Sequence, residues 1–435
     1  MELGVLLIFS AALLLCIVFD FSILYALVFG LFLFGGYALY RKHKFLAVLK
    51  MALSGIKTVK NILLTFLLIG MITAIWRGCG TISYIVHYST KICFPQIMVL
   101  VTFLLCALIS FLTGTAFGTA ATVGVICATI STGMGIPAAI TGGAVLAGSF
   151  FGDRCSPMST SALLVANLTK TDIFKNIKNM VRTSVVPFLI TCVFYLILGA
   201  TVKTQAASTQ VGDLIMEGFS KSILLVLPAL AILILSLFKL NVKITMAVSI
   251  VLAVGLAVFL QKMELLTVLK TLVFGYVPEK EALVPILSGG GILSMKNVFF
   301  IVCISSCYAG IFKETGLLDN IKKHLGRLAR KATPFGCILL TSAVTGLIAC
   351  NQTLCIMLTY QLCDEVEPEE YTMASHLENT AVVIAALIPW SIAGAVPLAS
   401  VGAPTVSLLF ACYLYLLPVW NFLTAFFRRK RIPAQ

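Results

Sequence analysis

Long apolar stretches recur along the whole chain, and short polar breaks separate them. A helix needs about 20 mostly apolar residues to cross a bilayer. The apolar stretches cover 3–19, 21–40, 61–76, 97–112, 120–150, 184–202, 222–238, 244–260, 297–312, 335–349, 353–363, 373–400 and 404–426. Several are short or contain Gly, Pro and polar residues, which are tolerated at membrane depth only where protein or a wet cavity surrounds them. The pattern predicts an all-α polytopic membrane protein with about 10–12 transmembrane helices, some of them broken or re-entrant.

Composition supports this prediction and excludes other classes of protein. Of the 435 residues, 60% are hydrophobic and only 11% are charged, which leaves too few polar groups to cover a soluble globule. The formal net charge of +14 would suit a nucleic-acid-binding protein, but the Lys and Arg residues stand in the short breaks between apolar stretches. Cytoplasmic loops of membrane proteins have this distribution. We therefore expect the lipid bilayer as a partner, and no nucleic acid.

The basic breaks predict how the chain is oriented. Lys and Arg residues concentrate in 41–60, 170–182, 313–331 and 428–431, and such segments face the cytoplasm. Both termini are then cytoplasmic, and the protein is a multi-pass protein of the cell membrane. The acidic loop 364–370 is expected on the extracellular side.

Two further features refine the picture of the chain in the bilayer. The segments 45–60 and 262–281 are amphipathic, which favours helices lying at the membrane surface. Asp20 interrupts the first two apolar stretches and predicts the turn of a helical hairpin.

Similar short segments recur in the two halves of the chain. The matched segments, with offsets that fall from 236 to 232, are Lys60-Asn61 with Lys296-Asn297, Phe117-Gly118-Thr119 with Asn351-Gln352-Thr353, and Ser156-Pro157-Met158-Ser159 with Ile388-Pro389-Trp390-Ser391. The loop 77–96 carries few basic residues, whereas its counterpart 313–331 carries many, so the two loops are expected on opposite sides of the membrane. We predict an N-terminal helical hairpin that serves as scaffold (1–44), repeat 1 (45–203), connecting helices (204–264) and an inverted repeat 2 (265–435).

Asp153 lies where a helix at membrane depth is expected to break. An ionised carboxylate at mid-bilayer costs about 3 kcal/mol, so an acidic residue there suggests a function. Pro157 removes a backbone donor and frees carbonyl groups. Hydroxyl oxygens of the kind that a hard cation such as sodium prefers follow at Ser156, Ser159, Thr160 and Ser161. The alternative is a structural ion pair between Asp153 and the adjacent Arg154.

Other polar residues join this candidate site from both halves. The Gly- and Thr-rich segment 113–124 favours either close helix packing or an unwound helix end that faces an anion. Glu378 is a candidate proton or cation carrier, whereas His376, two positions away, faces another way on a helix and is taken as structural. The candidate ion- or substrate-binding residues are Thr113, Thr115, Thr119, Asp153, Ser156, Ser159, Thr160, Asn351, Gln352, Glu378, Asn379, Thr380 and Ser391. Asp153 and Glu378 are also the candidate sodium ligands.

These motifs resemble those of NhaC-type sodium/proton antiporters, which belong to the ion-transporter superfamily. The resemblance covers about 50–425 and is carried by Thr113-Gly114-Thr115, Gly152-Asp153-Arg154-Cys155-Ser156-Pro157, Leu377-Glu378-Asn379 and Ile388-Pro389-Trp390-Ser391. It implies a secondary active transporter that exchanges cations by elevator-like alternating access. It also implies a sodium ion, a proton or both as coupling ions, no other cofactor, and by analogy a homodimer.

The chain departs from the family pattern at three positions. Thr160, Asn351 and Asn379 stand where the family has aspartate. Because neutral polar groups suit an organic solute better than a bare cation, the alternative is a sodium- or proton-coupled carrier of an amino acid or organic carboxylate. A passive channel would need a polar stripe along several helices, and an enzyme would need a nucleophile or a metal-ligand cluster. The sequence contains neither pattern, so we expect a transporter and no enzyme.

Overall fold

A computed structural model of the chain describes most of its residues. The described residues are 4–5, 8–9, 11–12, 15–16, 19, 21–58, 60–92, 94–202, 216, 218–238, 240–279, 284–315, 333–349 and 351–431. Asp20, with the hairpin turn predicted there, lies outside them. Most of the basic break 313–331 also lies outside them.

Helices form the regular structure of these residues, apart from one isolated antiparallel bridge between Tyr276 and Gly289. Those of seven or more residues are, in chain order, α1 (Ile23–Tyr40), α2 (Phe45–Thr58), α3 (Lys60–Gly78), α4 (Thr81–Ile92), α5 (Pro95–Thr113), α6 (Ala116–Gly133), α7 (Ala138–Cys155), α8 (Thr160–Leu168), α9 (Ile173–Thr201), α10 (Leu227–Leu237), α11 (Val242–Phe259), α12 (Leu265–Phe274), α13 (Lys296–Thr315), α14 (Pro334–Ala349), α15 (Gln352–Cys363), α16 (Glu370–Asn379), α17 (Ala381–Leu387), α18 (Ile392–Ser400) and α19 (Cys412–Arg431). The predicted all-α polytopic class is confirmed.

The lengths of these helices agree with a membrane protein that contains broken spans. Three helices, α5, α6 and α9, are each long and apolar enough to cross a bilayer, and the number rises to five if two bent helix pairs each count as one span. Glu370–Leu387 and Ile392–Ser400 form one of the pairs and meet at 58°. Further apolar helices of 10–17 residues accompany them. Segments of this length need protein around their ends, because exposed backbone groups are costly in lipid.

The largest apolar core joins helices from both halves of the chain. Buried residues of α5, α6 and α7 contact buried residues of α14 to α19. Phe103 and Val145 contribute to this core from the first half, and Val383 contributes from the second. The helices α5 and α7 lie close together because α7 has glycines on the contact face. A Cβ atom at Gly152 would stand 2.5 Å from the Ala107 carbonyl oxygen of α5. The candidate site is built at the ends of these helices.

Two other apolar clusters surround this core. One joins α3, α4, α10 and α11, and it touches the first core through Val125 of α6 and Val396 of α18. In the other, α1 packs against α13, and the rings of Phe34 and Tyr308 meet edge to face. The chain thus has one core that carries the candidate site and a flanking body formed by the helices of the other two clusters.

The amphipathic segment 45–60 packs one face against protein and leaves other large apolar side chains exposed, so its place at the membrane surface stays a prediction. Its helix α2 packs along α13, and the backbones meet where Gly55 faces Ser306 and Gly310 faces Met51. Its buried face is therefore occupied by a neighbouring helix. An apolar face of the kind that suits an interfacial helix suits such a neighbour equally well.

The acidic loop 364–370 lies beside the basic segment at the start of α9. A cavity of about 170 Å³ is lined by Lys170 together with Asp364 and Glu367, and the Lys175 ammonium stands 5.5 Å from the centroid of the Tyr371 ring. The two segments therefore lie on the same side of the molecule. The expectation that they face opposite sides of the membrane is wrong.

Helix boundaries recur at the offsets found in the sequence. The helices α3 and α13 begin at Lys60 and Lys296. The 18 residues of α7 are followed by an extended break and by the nine-residue helix α8. The residues Glu370–Leu387 of α16 and α17 are followed by a break and by the nine-residue helix α18. These matches agree with the predicted repeats, whose inversion and exact extents stay predictions.

Candidate functional site

The site begins at the break between α7 and α8. Cys155 ends α7, Ser156 has an extended backbone, and Pro157 cannot continue the helix. Ser159 caps the new helix, since its side-chain oxygen accepts hydrogen bonds from the backbone N–H groups of Ser161 and Ala162. Local sequence therefore fixes the chain so that the last turn of α7 faces the first turn of α8.

Asp153, in that last turn, is held by two hydroxyl groups. Its side chain is only 5% exposed. Ser159 donates to Oδ1 over 2.9 Å, and Ser161 donates to Oδ2 over 3.0 Å. The two hydroxyl oxygens are themselves 2.8 Å apart. Four oxygen atoms thus form a compact buried group, of the hard-donor kind that sodium prefers.

Two helix N-termini stand beside this carboxylate, one from each half. Thr115 caps α6 through Gly118, and Asn351 caps α15 through Leu354. Asp153 interacts with the backbone amide of Ala116, the first residue of α6, and with the side chain of Gln352, the first residue of α15. The N-terminus of a helix carries a partial positive charge, so both ends favour a negative group at this position.

Arg154 points away from Asp153 and is completely buried. Adjacent residues on a helix do not face each other. The guanidinium donates to the Glu378 backbone carbonyl over 2.9 Å, and its other partners are Cys155, Met180, Ser184, Tyr413, Thr183 and Asn379. None of these partner atoms is a carboxylate oxygen. The Asp153–Arg154 ion pair is therefore not formed in the structure.

Glu378 lies in the last turn of α16 and is 0% exposed. Within the described residues, neither of its carboxylate oxygens has a hydrogen-bond partner. Asp153 and Arg154 are close enough to interact with it electrostatically. A buried carboxyl group without partners is costly, and a structure keeps one only where the group has another use.

The residues after Glu378 fasten the end of α16. Asn379 accepts from the Arg154 guanidinium and, over 3.2 Å, from the Thr183 hydroxyl. Thr380, at the break before α17, donates to the His376 carbonyl over 2.7 Å and accepts from Ser342 over 3.0 Å. The side chain at 379 is thus the neutral partner of a buried cation.

The structure brings together only part of the predicted set. Asp153, Ser159, Gln352, Glu378 and Asn379 cluster as described above. Thr113, Thr119 and Ser156 make short-range hydrogen bonds, and Ser391 caps α18 through Ala393. Thr160 is exposed, and its neighbour Ser161 supplies the hydroxyl group that contacts Asp153.

Sequence reasoning missed the role of Arg154 and its partners on α9 and α19. Ser184 and Tyr413 are 2.9 Å apart at the guanidinium, and no local pattern joins positions so far apart in the chain. Within the described residues, no three His, Cys, Asp or Glu side chains gather in a way that could hold a metal ion. The site therefore offers two carboxylates, hydroxyl groups and one fixed cation.

Comparisons with known proteins agree with this arrangement. A family model described as the Na+/H+ antiporter family matches residues 2–167 and 148–428. The chain is 28% identical to the Na(+)/H(+) antiporter NhaC of Alkalihalophilus pseudofirmus over 82% of this chain and 79% of that protein. It is 26% identical to the Na(+)/H(+) antiporter NhaC of Bacillus subtilis over 86% of each. It is also 24% identical to the malate-2H(+)/Na(+)-lactate antiporter of Bacillus subtilis over 82% of this chain and 78% of that protein.

Proposed function

Because the chain belongs to the Na+/H+ antiporter family, we propose that it exchanges sodium ions for protons across the cell membrane by alternating access. The chain is a polytopic membrane transporter, and sodium ions and protons are its transported and coupling ions. One observation carries the assignment of the site. The buried Asp153 is bound by two hydroxyl groups, and the side chain of the buried Glu378 beside it has no hydrogen-bond partner in the described part of the chain.

The hydrogen-bond count around Asp153 supports competition between a proton and a cation. Asp153, Ser159 and Ser161 make three mutual oxygen contacts of 2.8–3.0 Å. A protonated Asp153 supplies the third hydrogen atom and closes a ring of three hydrogen bonds. An ionised Asp153 leaves two hydrogen atoms for three contacts, so oxygen lone pairs face one another. A sodium ion stabilises that second arrangement, and proton and sodium therefore exclude each other.

Glu378 and Arg154 complete the mechanism. We assign Glu378 as the second proton acceptor and as a candidate sodium ligand, because its oxygens are free to accept either ion. Arg154 stays charged at every accessible pH and cannot give up its proton. Its positive charge compensates one negative charge of the site in the absence of a bound cation.

The division of the apolar cores supports alternating access. The core that carries Asp153 and Glu378 touches the flanking body mainly through α6 and α18. Movement of this core against the flanking helices would expose the site to one side and then to the other. Cytoplasmic termini and a homodimer belong to the same proposal. They rest on the basic breaks and on analogy, respectively.

The second candidate is a sodium- or proton-coupled carrier of an organic carboxylate or an amino acid. Asn351 and Asn379 favour it, since each is a neutral group where the family pattern has an acid. The relative named as a malate-2H(+)/Na(+)-lactate antiporter shows that a protein similar to this chain has such substrates. If the protein is such a carrier, Asp153 and Glu378 bind the coupling ion.

Purified protein in liposomes tests the proposal. An outward sodium gradient should drive protons inward, measured with a pH-sensitive dye in the lumen. Asp153→Asn and Glu378→Gln should each abolish that flux, because each removes a carboxylate on which proton and cation compete. The matched controls are Asp172→Asn and Glu264→Gln, which remove exposed carboxylates at helix starts and should leave the flux unchanged. Wild-type flux in both site variants would contradict the assignment.

A further inference from the structure

A second cavity lies apart from the carboxylate site. It has a volume of about 400 Å³ and lies between α3, α4, α6, the end of α18 and the segment that leads into α13. Ala116 of α6 faces Asp153, whereas the cavity begins at Val125 on the same helix. At 1.5 Å per residue, the two are about 14 Å apart. The volume falls in the range of pockets that hold small organic molecules.

Arg77 is the charged group of this cavity, and its donors are mostly unused. The side chain is half-buried. It donates to the Thr73 carbonyl oxygen of its own helix over 2.6 Å. Its Nε atom is buried and has no hydrogen-bond partner among the residues that the structure describes. A guanidinium has five N–H donors, and leaving a buried charged donor unpaired is costly. The side chain therefore lacks a partner that an occupant of the cavity could supply.

The other side chains of the lining determine which charge an occupant of the cavity should carry. None of the described residues that line the cavity is Asp or Glu. A cation there would meet Arg77 without any compensating charge, so the cavity does not suit sodium. A planar carboxylate matches the fork of a guanidinium with two parallel hydrogen bonds. The cavity therefore suits an anion, and a carboxylate fits Arg77 better than a spherical halide.

Hydroxyl groups in the lining favour a ligand that also has a hydrogen-bond donor. Each of four lining side chains donates its hydrogen to a backbone carbonyl over 2.7–2.8 Å and keeps lone pairs that can accept; they are Thr129, Thr132, Ser294 and Ser400. A ligand with a hydrogen-bond donor near its carboxylate satisfies both kinds of group. We infer that this cavity is a binding site for a small organic carboxylate, held through Arg77 and favoured when a hydroxyl group neighbours the carboxyl group.

Thermal unfolding of the purified full-length protein in detergent tests this inference without requiring transport. Sodium L-lactate, sodium propionate and sodium chloride are compared at equal sodium concentration. Lactate and propionate should raise the unfolding temperature of the wild type above the value in chloride, and lactate should bind more tightly than propionate. A ligand that binds only the native state raises this temperature as its concentration passes the dissociation constant.

Variants of Arg77 separate binding from general anion effects. Arg77→Gln should weaken lactate binding at least about tenfold, the usual loss for a charge-assisted hydrogen bond. Arg77→Lys keeps the positive charge but lacks the planar fork of donors, so its affinity for lactate should lie between those of the wild type and Arg77→Gln. Arg182→Gln removes an exposed arginine of α9 and should bind lactate as the wild type does.

Two results would overturn the inference: a rise of the unfolding temperature in chloride equal to that in lactate, or an undiminished rise with lactate in Arg77→Gln. If Arg77→Gln does not fold, the comparison of carboxylates with chloride in the wild type and in Arg77→Lys decides the question.

Discussion

The Arg154 guanidinium donates a hydrogen bond of 2.9 Å to the backbone carbonyl of Glu378, a residue 224 positions away in the chain. This bond ties the last turn of α7 to the last turn of α16. Arg154 thereby interacts electrostatically with the Glu378 carboxylate while using its hydrogen bonds on neutral groups. Its positive charge is available to Glu378, and its donors hold the two halves together.

Removal of this guanidinium should destabilise the protein severely. Arg154→Met leaves several buried acceptors unpaired and two carboxylates without a compensating cation, a kind of loss that costs about 3–5 kcal/mol. Arg154→Lys keeps the charge but has fewer donors and should fall between Arg154→Met and the wild type. Thermal unfolding in detergent measures the effect. Arg182→Met, at an exposed position of α9, serves as the control and should change stability by less than about 0.5 kcal/mol. A stable Arg154→Met protein would refute the structural role given to Arg154.

The count of buried charges predicts the electrical behaviour of exchange. Among the described residues, the buried Asp, Glu, Lys and Arg side chains are Asp153, Arg154 and Glu378. Two negative groups and one positive group leave room for one monovalent cation, so one sodium ion should replace one proton. We expect the sodium-driven proton flux in liposomes to be unaffected by a membrane potential imposed with potassium and valinomycin. A flux that follows the imposed potential in the wild type would contradict this count.

Asn379→Asp tests the same count of buried charges by adding a negative group to the site. The new carboxylate would face the Arg154 guanidinium and the Thr183 hydroxyl, which already donate to Asn379. It adds one negative charge inside the core, so by the same count the site should hold two monovalent cations, and the flux should rise more steeply with sodium concentration than in the wild type. Asn241→Asp is the matched control, since that exposed asparagine caps α11 and a carboxylate can cap it equally well. An unchanged response to sodium in Asn379→Asp would separate residue 379 from the transported charge.

Local chemistry explains which parts of the site could be predicted. Pro157 and Ser159 break and restart a helix through bonds within a few residues, so the sequence alone indicates the break beside Asp153. The choice between Thr160 and Ser161 depends on the rotation of the first turn of α8. Hydroxyl groups at both positions look equivalent in the sequence, whereas only Ser161 reaches Asp153.

Non-local packing explains the parts that could not be predicted. Arg154 could have paired with its neighbour Asp153, and only the arrival of α9 and α16 shows that it does not. The amphipathic helix α2 likewise has an apolar face that fits either a lipid surface or another helix. Its neighbour α13 follows more than 200 residues later in the chain. Apolar periodicity identifies a buried face without identifying what buries it.

The two hydroxyl groups at Asp153 should tune the apparent affinity for sodium. Ser159→Ala and Ser161→Ala each remove one oxygen from the four-oxygen group, and each should raise the sodium concentration for half-maximal flux about tenfold. Ser156→Ala is the control, because the Ser156 hydroxyl bonds to the backbone of Met158 and does not reach the carboxylate. Thr160→Ala should also be neutral. Dye-reported flux at graded sodium concentrations measures all four variants, and equal shifts at positions 156 and 159 would argue against direct sodium contact.

The close contact between α5 and α7 should make Gly152 intolerant of a side chain. A Cβ atom there would stand 2.5 Å from the Ala107 carbonyl oxygen and would also collide with the backbone nitrogen of Phe111. Because backbone atoms cannot turn aside, Gly152→Ala should cost about 1–3 kcal/mol and displace the adjacent Asp153. Gly255→Ala is the matched control, since that glycine of α11 has open space around its Cβ position and alanine favours helices by about 1 kcal/mol. Thermal unfolding should therefore show a lower transition temperature for Gly152→Ala and an equal or higher one for Gly255→Ala. Sodium-driven proton flux should be lost only in the former, and full flux in Gly152→Ala would mean that the α5–α7 contact does not position the carboxylate.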